Sequence, residues 1–282
     1  MIMRRLWLLL LLVMLPAQSW AALDDTGLVV RYYIDEAASG TAPTDALDGS
    51  GVGSAFNLAI DYGTSNLAYV ETSGQRGLVS SATTGVQRAR KTLVTSDKVI
   101  TALSSSKLAT LELVIDATGF SASGGRIFGI TDRTGGNGSL ILRASDTGSA
   151  WQLAVNSTTY DVFNFAETGR QVIHIVYDSA QAVAGDRLKY SVNGGTLTNA
   201  SGTIPLNTAL TIDNTLDLIM FNRESGGFYD RSMTGTIFYA ALYSAAFTQG
   251  MVDQNYAVLT SDDDTPTGGA AANMFYQRRL QW

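Results

Sequence analysis

Cysteine is absent from all 282 residues, so no disulfide and no thiolate metal site can hold or equip this protein. Histidine occurs once, as His174, and no serine has glycine both two residues before and two residues after it, so the nucleophile elbow of a Ser-His-Asp hydrolase is missing. No Gly-Lys pair occurs from which a phosphate-binding loop could be built. Proline (four residues) and charged side chains (16%) are scarce, whereas glycine is plentiful at 28, a balance that suits many short strands joined by Gly-rich turns. Lys and Arg number 19 against 25 Asp and Glu, and the resulting acidic surface repels phosphate backbones, so nucleic acid is not an expected partner.

Long apolar runs are also lacking. The longest, Leu6–Leu15, falls well short of the roughly 20 residues that cross a bilayer. It follows Arg4 and Arg5 and precedes Pro16 and Ser19-Trp20-Ala21, with small residues where a signal peptidase reads, so residues 1–21 are expected to be an export signal cleaved after Ala21. The expected address is periplasm, cell surface or medium, with no membrane span after cleavage. The remaining 261 residues carry a net charge of −8, since the segment removed takes two arginines and no acid with it.

What is present is alternation. In Arg187-Leu-Lys-Tyr-Ser-Val-Asn-Gly-Gly195, Leu188, Tyr190 and Val192 alternate with polar residues, and Asn193-Gly194 supplies the positive φ angles a tight hairpin needs. Strand-like runs recur at Leu28–Ile34, Leu111–Ile115, Arg126–Ile130, Leu140–Arg143, Trp151–Val155, Gln171–Asp178 and Met233–Tyr243. In Trp151–Val155, Trp151, Leu153 and Val155 share one face and Gln152 and Ala154 the other. Such spacing predicts an all-β antiparallel sandwich, with one short helix after Thr248 whose Val252, Tyr256 and Leu259 lay a stripe on it.

One domain is expected over 22–260. Residues 261–282 form a polar linker, Ser261–Gly269, and an aromatic, basic tail in which Met274, Tyr276, Leu280 and Trp282 recur. That tail reads as a loosely docked terminus, as a strand added to a partner's sheet, or as an outer-membrane assembly signal whose alternation Arg278 breaks.

Several of these segments resemble a known family. Gly27–Thr41 with its Asp35-Glu36 pair, then Asp45 and Asp48-Gly-Ser-Gly51, the strand Val172–Asp178, the strand Leu188–Gly195, and Met233-Thr-Gly-Thr-Ile with Ala241–Thr248 are similar to the bacterial laminin-G-like domains of the concanavalin A-like lectin/glucanase superfamily. The resemblance covers roughly 26–259 and implies a two-sheet jelly roll with a concave face. Two positions depart from the family pattern. Phe238-Tyr239 stand where an acidic pair is usual, and Arg170-Gln171-Val172 where the middle strand usually begins aromatic-His-His.

Glucanases of that superfamily need two carboxylates about 5–5.5 Å apart, delivered by a Glu-x-Asp-x-x-Glu strand. The only glutamates here are Glu36, Glu71, Glu112, Glu167 and Glu224, and none has Asp two residues later, so no enzyme is expected. Twenty of the 25 acidic residues are aspartates, mostly in turns, where hard oxygens suit calcium and where Asp also initiates turns by itself. One structural calcium, if bound, is expected at Asp35, Asp45, Asp48 and Asn57. For sugar binding the candidates are Asn222, Arg223, Phe228, Tyr229 and Asp230 in the segment Asn222–Arg231, with Asp132 and Asn137 as a second group. A polar hairpin with one aromatic tucked into its rim is the alternative for the same segment. The expected role is recognition of a glycan, or else of another surface protein in a structural or adhesive assembly.

Overall fold

Alternating side chains make strands wherever one face can be buried. The computed structural model describes residues 22–261 apart from 41–43, 62–66, 86, 122–123, 134–137, 165–168 and 223–230. The described residues form β1 (Leu28–Tyr32), β2 (Asp45–Ala46), β3 (Leu58–Asp61), β4 (Leu67–Thr72), β5 (Gln75–Ser80) and β6 (Arg88–Thr92). A short helix α1 (Lys98–Leu103) precedes β7 (Leu108–Phe120), β8 (Arg126–Asp132), β9 (Leu140–Ala144), β10 (Ala150–Val155) and β11 (Thr158–Asn164). Then come β12 (Gln171–Asp178), β13 (Leu188–Val192), β14 (Thr198–Asn199), β15 (Leu216–Phe221), β16 (Met233–Tyr243) and helix α2 (Gln249–Leu259).

These strands pair antiparallel into two sheets. One runs β14-β13-β12-β7-β16-β5-β4, and the other β11-β10-β9-β8-β15-β6-β3-β2. Strand β16 is the hinge of the first sheet: β7 lies along one edge, while β5 at Gly235–Ile237 and β1 at Ala240–Tyr243 share the other. The first and last of the described strands are therefore tied into one ladder. This is the predicted β-sandwich.

Between the sheets lie Leu111, Leu113 and Ile115 of β7, Ile173 and Ile175 of β12, Phe128 and Ile130 of β8, Leu140 and Leu142 of β9, and Leu218 and Met220 of β15, all essentially inaccessible. Each such side chain contributes roughly 1.5–3 kcal/mol by leaving water. In a chain without disulfides this burial carries the fold.

The outer face of the first sheet is covered as well. Thr248 caps α2, its Oγ1 accepting from the Met251 N–H at 3.4 Å, and the helix lays Val252 and Leu259 on Val114, Val172, Val176, Tyr239 and Tyr243. The predicted turn after β13 also holds: Asn193 and Gly194 have φ of 51° and 69°, and the Gly195 N–H donates to the Val192 carbonyl at 3.0 Å. A Cβ on Gly194 would strike the ring of Tyr256 on α2, so glycine is needed there twice over. Helix α1, which buries Val99 and Leu103, shows no clear period in the sequence. Among the described residues no helix is long and apolar enough to cross a membrane.

Candidate functional site

At one side of the sandwich the strands β10 and β11 of one sheet face β12, β13 and β14 of the other across a cleft of about 520 Å³. Its size falls in the range of ligand sites, roughly 300–1,000 Å³. Trp151 points inward from β10 and is buried, and its cross-strand neighbour on β11 is Phe163. Phe163 stacks on Trp151 with ring centres 5.9 Å apart at 22°, and Tyr190 of β13 stacks on Phe163 at 4.8 Å and 18°. Phe120 closes the column edge-on against Trp151 at 5.5 Å. Phe163 and Tyr190 are half-buried, and Asn164, Gln171, Asn199 and Ser201 line the same cleft. Apolar ring surface bordered by amides and a hydroxyl suits a ligand that has apolar faces and polar edges.

The candidates read from the sequence are distributed differently. Asn222 is wholly buried: its Nδ2 donates to the Gly85 carbonyl at 2.8 Å, and its Oδ1 accepts from the Arg231 N–H at 3.2 Å. It braces the base of the segment it opens. Before it, Phe221 is held at φ 69°, a conformation costing a side chain about 1–3 kcal/mol, which turns the chain out of β15. Asp132 is paired with Leu216 at the start of β15, so it and Asn222 sit at opposite ends of that strand, roughly 17–20 Å apart at about 3.3 Å per residue. Asp132 and Asn222 themselves are thus not brought together. Arg223, Phe228, Tyr229, Asp230 and Asn137 lie outside the described residues.

Of the calcium candidates, Asp48 and Asn57 meet, Asn57 Oδ1 accepting from the Asp48 N–H at 3.1 Å. The backbone carbonyls of Asp35 and Asp45 accept from Arg76 Nη1 and the Tyr69 hydroxyl. The charge of Asp48 is met by Lys98, whose Nζ lies 2.5 Å from Asp48 Oδ2, 3.0 Å from Ser50 Oγ and 2.6 Å from the Val52 carbonyl. An ammonium thus occupies a pocket of hard oxygens. Burial works to raise the Asp48 carboxyl, but the hydrogen bonds from Lys98, Ser50 and Phe56 outweigh it and hold the group below its ordinary value. Among the described residues no group of three or more His, Asp or Glu is placed to hold a metal ion.

His174 faces the same side of β12 as Val172 and Val176, beneath α2, and pairs across the ladder with Glu112 of β7. Glu112, fully buried, accepts from His174 Nε2 (2.8 Å) and Asn255 Nδ2 (2.8 Å) on one oxygen and from the hydroxyls of Tyr239 (2.9 Å) and Tyr243 (2.6 Å) on the other. Burial acts to raise its carboxyl, and these donors hold it below its ordinary value, as an acceptor-only carboxylate. Burial, and then the Glu112 charge, push both phenols well above 10. This network joins three sheet strands, β7, β12 and β16, to a helix, and it is buried. Tyr239, standing where the laminin-G-like pattern has an acid, belongs to it.

No protein-family model matches the sequence, and no curated protein matches it either. Solved structures do match in fold. A Trypanosoma rangeli sialidase mutant displaying trans-sialidase activity is 12% identical with a TM-score of 0.57, covering 87% of this chain and 35% of that one. Trypanosoma rangeli sialidase in complex with sialic acid is 11% identical with a TM-score of 0.56, over 87% and 35%. The binding domain of Botulinum neurotoxin DC in complex with rat synaptotagmin II is 10% identical with a TM-score of 0.54, over 82% and 51%. The chain spans about a third of the length of the sialidases and about half that of the neurotoxin chain. At these identities the likeness is one of fold alone.

Proposed function

We propose that this protein is an exported, non-catalytic recognition module of the laminin-G-like type, and that it binds a saccharide in the cleft of Trp151, Phe163 and Tyr190. The observation that carries the reading is the stacked aromatic column with amides at its border, because a pyranose offers an apolar C–H face and a rim of hydroxyls to match it. Rigid strands on both sheets set the cleft, which limits the ordering cost of binding. Trypanosoma rangeli sialidase is seen with sialic acid, which favours a saccharide, while the neurotoxin domain is seen with synaptotagmin II, which keeps a surface protein as the alternative.

A glycan array probed with protein beginning at Ala22, with and without calcium, tests the reading. Tyr190→Ala should weaken the best neutral ligand at least about fivefold, the loss of a binding hot spot, while costing less stability than the roughly 3–5 kcal/mol of a deleted core aromatic. Full stability loss with unchanged binding would make the column a plug for the sandwich and move the site elsewhere.

A further inference from the structure

Adjacent residues on a strand point to opposite faces, so while Trp151 looks into the cleft, Gln152 looks out from the other side of the β10–β11 hairpin. There it borders a second, polar basin of about 560 Å³ that the proposed cleft does not use. Two guanidiniums line it: Arg143 from β9 and Arg231 from the residues that lead into β16. Arg143 pairs with Asp146, a side chain 71% exposed, while its own side chain is only 4% exposed. On the far wall Gln152 Nε2 donates to Asp161 Oδ1 at 2.6 Å, and the turn from Ser145 to Ser149 adds three hydroxyls.

We propose that this basin is an anion-binding subsite for an acidic saccharide, in which Arg231 and Arg143 take a carboxylate or sulfate group and Asp161, Gln152 and the turn hydroxyls take the sugar's own hydroxyls. Two guanidiniums are brought to one basin in which Asp146 and Asp161 offset their charge, so an anion gains its attraction by meeting Arg231 and by taking the place of Asp146 at Arg143. Burial and the nearby Arg231 charge lower the Arg143 guanidinium, against the pull of Asp146. The planar guanidinium fork matches the two oxygens of a carboxylate or sulfate. Asp146 stands in solvent as the existing counter-ion of an almost buried Arg143, so an incoming anion must take over the pairing as Asp146 turns away rather than leave the guanidinium unpaired. The strands that carry Arg143, Gln152 and Asp161 are paired antiparallel, with one register shift between Trp151 and Gln152 that sets Gln152 opposite Asp161, so the wall is set before the ligand arrives.

Calorimetry on protein beginning at Ala22 decides the matter, with oligogalacturonate as the carboxylate probe, dextran sulfate oligomers as the sulfate probe, and methyl-esterified oligogalacturonate and dextran as neutral controls. At least one anionic probe should bind at low salt and more weakly at high salt, the two arms showing which anion the basin prefers. Arg231→Gln should weaken that probe about tenfold, the scale of one lost charge-assisted contact. Asp146→Asn should lower stability, because the nearly buried Arg143 loses its counter-ion, and should strengthen anion binding severalfold by removing the competing carboxylate, with a thermal melt confirming that the variant is folded at the titration temperature. Tyr190→Ala should leave anion binding unchanged, so failure of the aromatic cleft and failure of this basin give different patterns. Equal binding of charged and neutral probes, no binding of either anion, or Asp146→Asn binding no more tightly than the parent would each overturn the proposal.

Discussion

Lys98 shows how one side chain decides what a loop can hold. Asp48 has the turn residues and oxygens that suggested calcium, and neighbours in Ser50 and Val52, yet the ammonium arriving from α1 already fills the pocket. The sequence could not reveal this, because Lys98 lies 50 positions away from Asp48 in the chain. We expect millimolar calcium to leave the parent's melting temperature unmoved. Lys98→Ala removes the partner of a carboxylate that is only 1% exposed and should cost toward about 3 kcal/mol, the low end for a broken buried pair because the Ser50 and Phe56 donors remain. In that variant the vacated oxygens should accept calcium and recover part of the loss, a binding-linked gain that reaches about 2.7 kcal/mol at a hundredfold excess over Kd. Thermal melts of both proteins with calcium and with chelator check this, and a parent that stabilises with calcium would place a metal elsewhere.

Among elements, α2 was legible and its deepest role was not. The Thr248 cap and the positions of Val252, Tyr256 and Leu259 follow from helical period, but Asn255, on the same buried side, looks in sequence like an ordinary polar residue. In the fold its amide donates to Glu112 and its Oδ1 accepts from the Asp24 N–H at 2.6 Å, tying the N-terminal segment, a central strand and the last helix together. Asn255→Ala should therefore cost about 1–3 kcal/mol, the range for leaving a buried group short of a partner. Asn255→Asp should cost more at neutral pH, since it sets a second carboxylate against Glu112, and the gap between the two variants should narrow in acid as one carboxyl takes a proton. Chemical denaturation at pH 7 and pH 4 measures both; equal costs at the two pH values would mean the network does not sense charge. The aromatic cleft was illegible for a related reason. Trp151, Phe163 and Tyr190 come from three strands on two sheets, and no local period brings them to one place, whereas Asn222–Arg231 gathers aromatic, charged and amide residues within one short segment of the chain.

For the whole molecule, alternation carried most of the information: the ranges Gln171–Asp178 and Met233–Tyr243 stand as read, and the other predicted runs are extended or trimmed by a few residues where ladder partners continue or stop. The order of strands in the sheets, with β1 and β16 meeting across nearly the full chain, depends on long-range pairing that no window of sequence contains. That architecture also fixes how the molecule should respond to acid. Two carboxyls, Asp48 beside α1 and Glu112 beneath α2, are held below their ordinary values by the donors around them. A depressed folded value means that each group's contribution is fully present above its unfolded value, about 3.9 for Asp and 4.3 for Glu, and is lost as pH falls through the folded one. Glu36, which burial raises despite the Leu47 N–H, acts in the opposite sense: it favours the fold in acid and loses that contribution as pH rises through its folded value. With two buried acceptors set against one half-buried acid, the melting temperature should be nearly level from pH 7 to about 5 and fall steeply below about 4. Asp48→Asn should be less stable at pH 7 yet show a shallower acid decline, because one of the two protonation events is gone. Calorimetric melts from pH 3 to 8 on both proteins give the answer, and a variant whose acid slope matches the parent's would show that Asp48 contributes nothing to it.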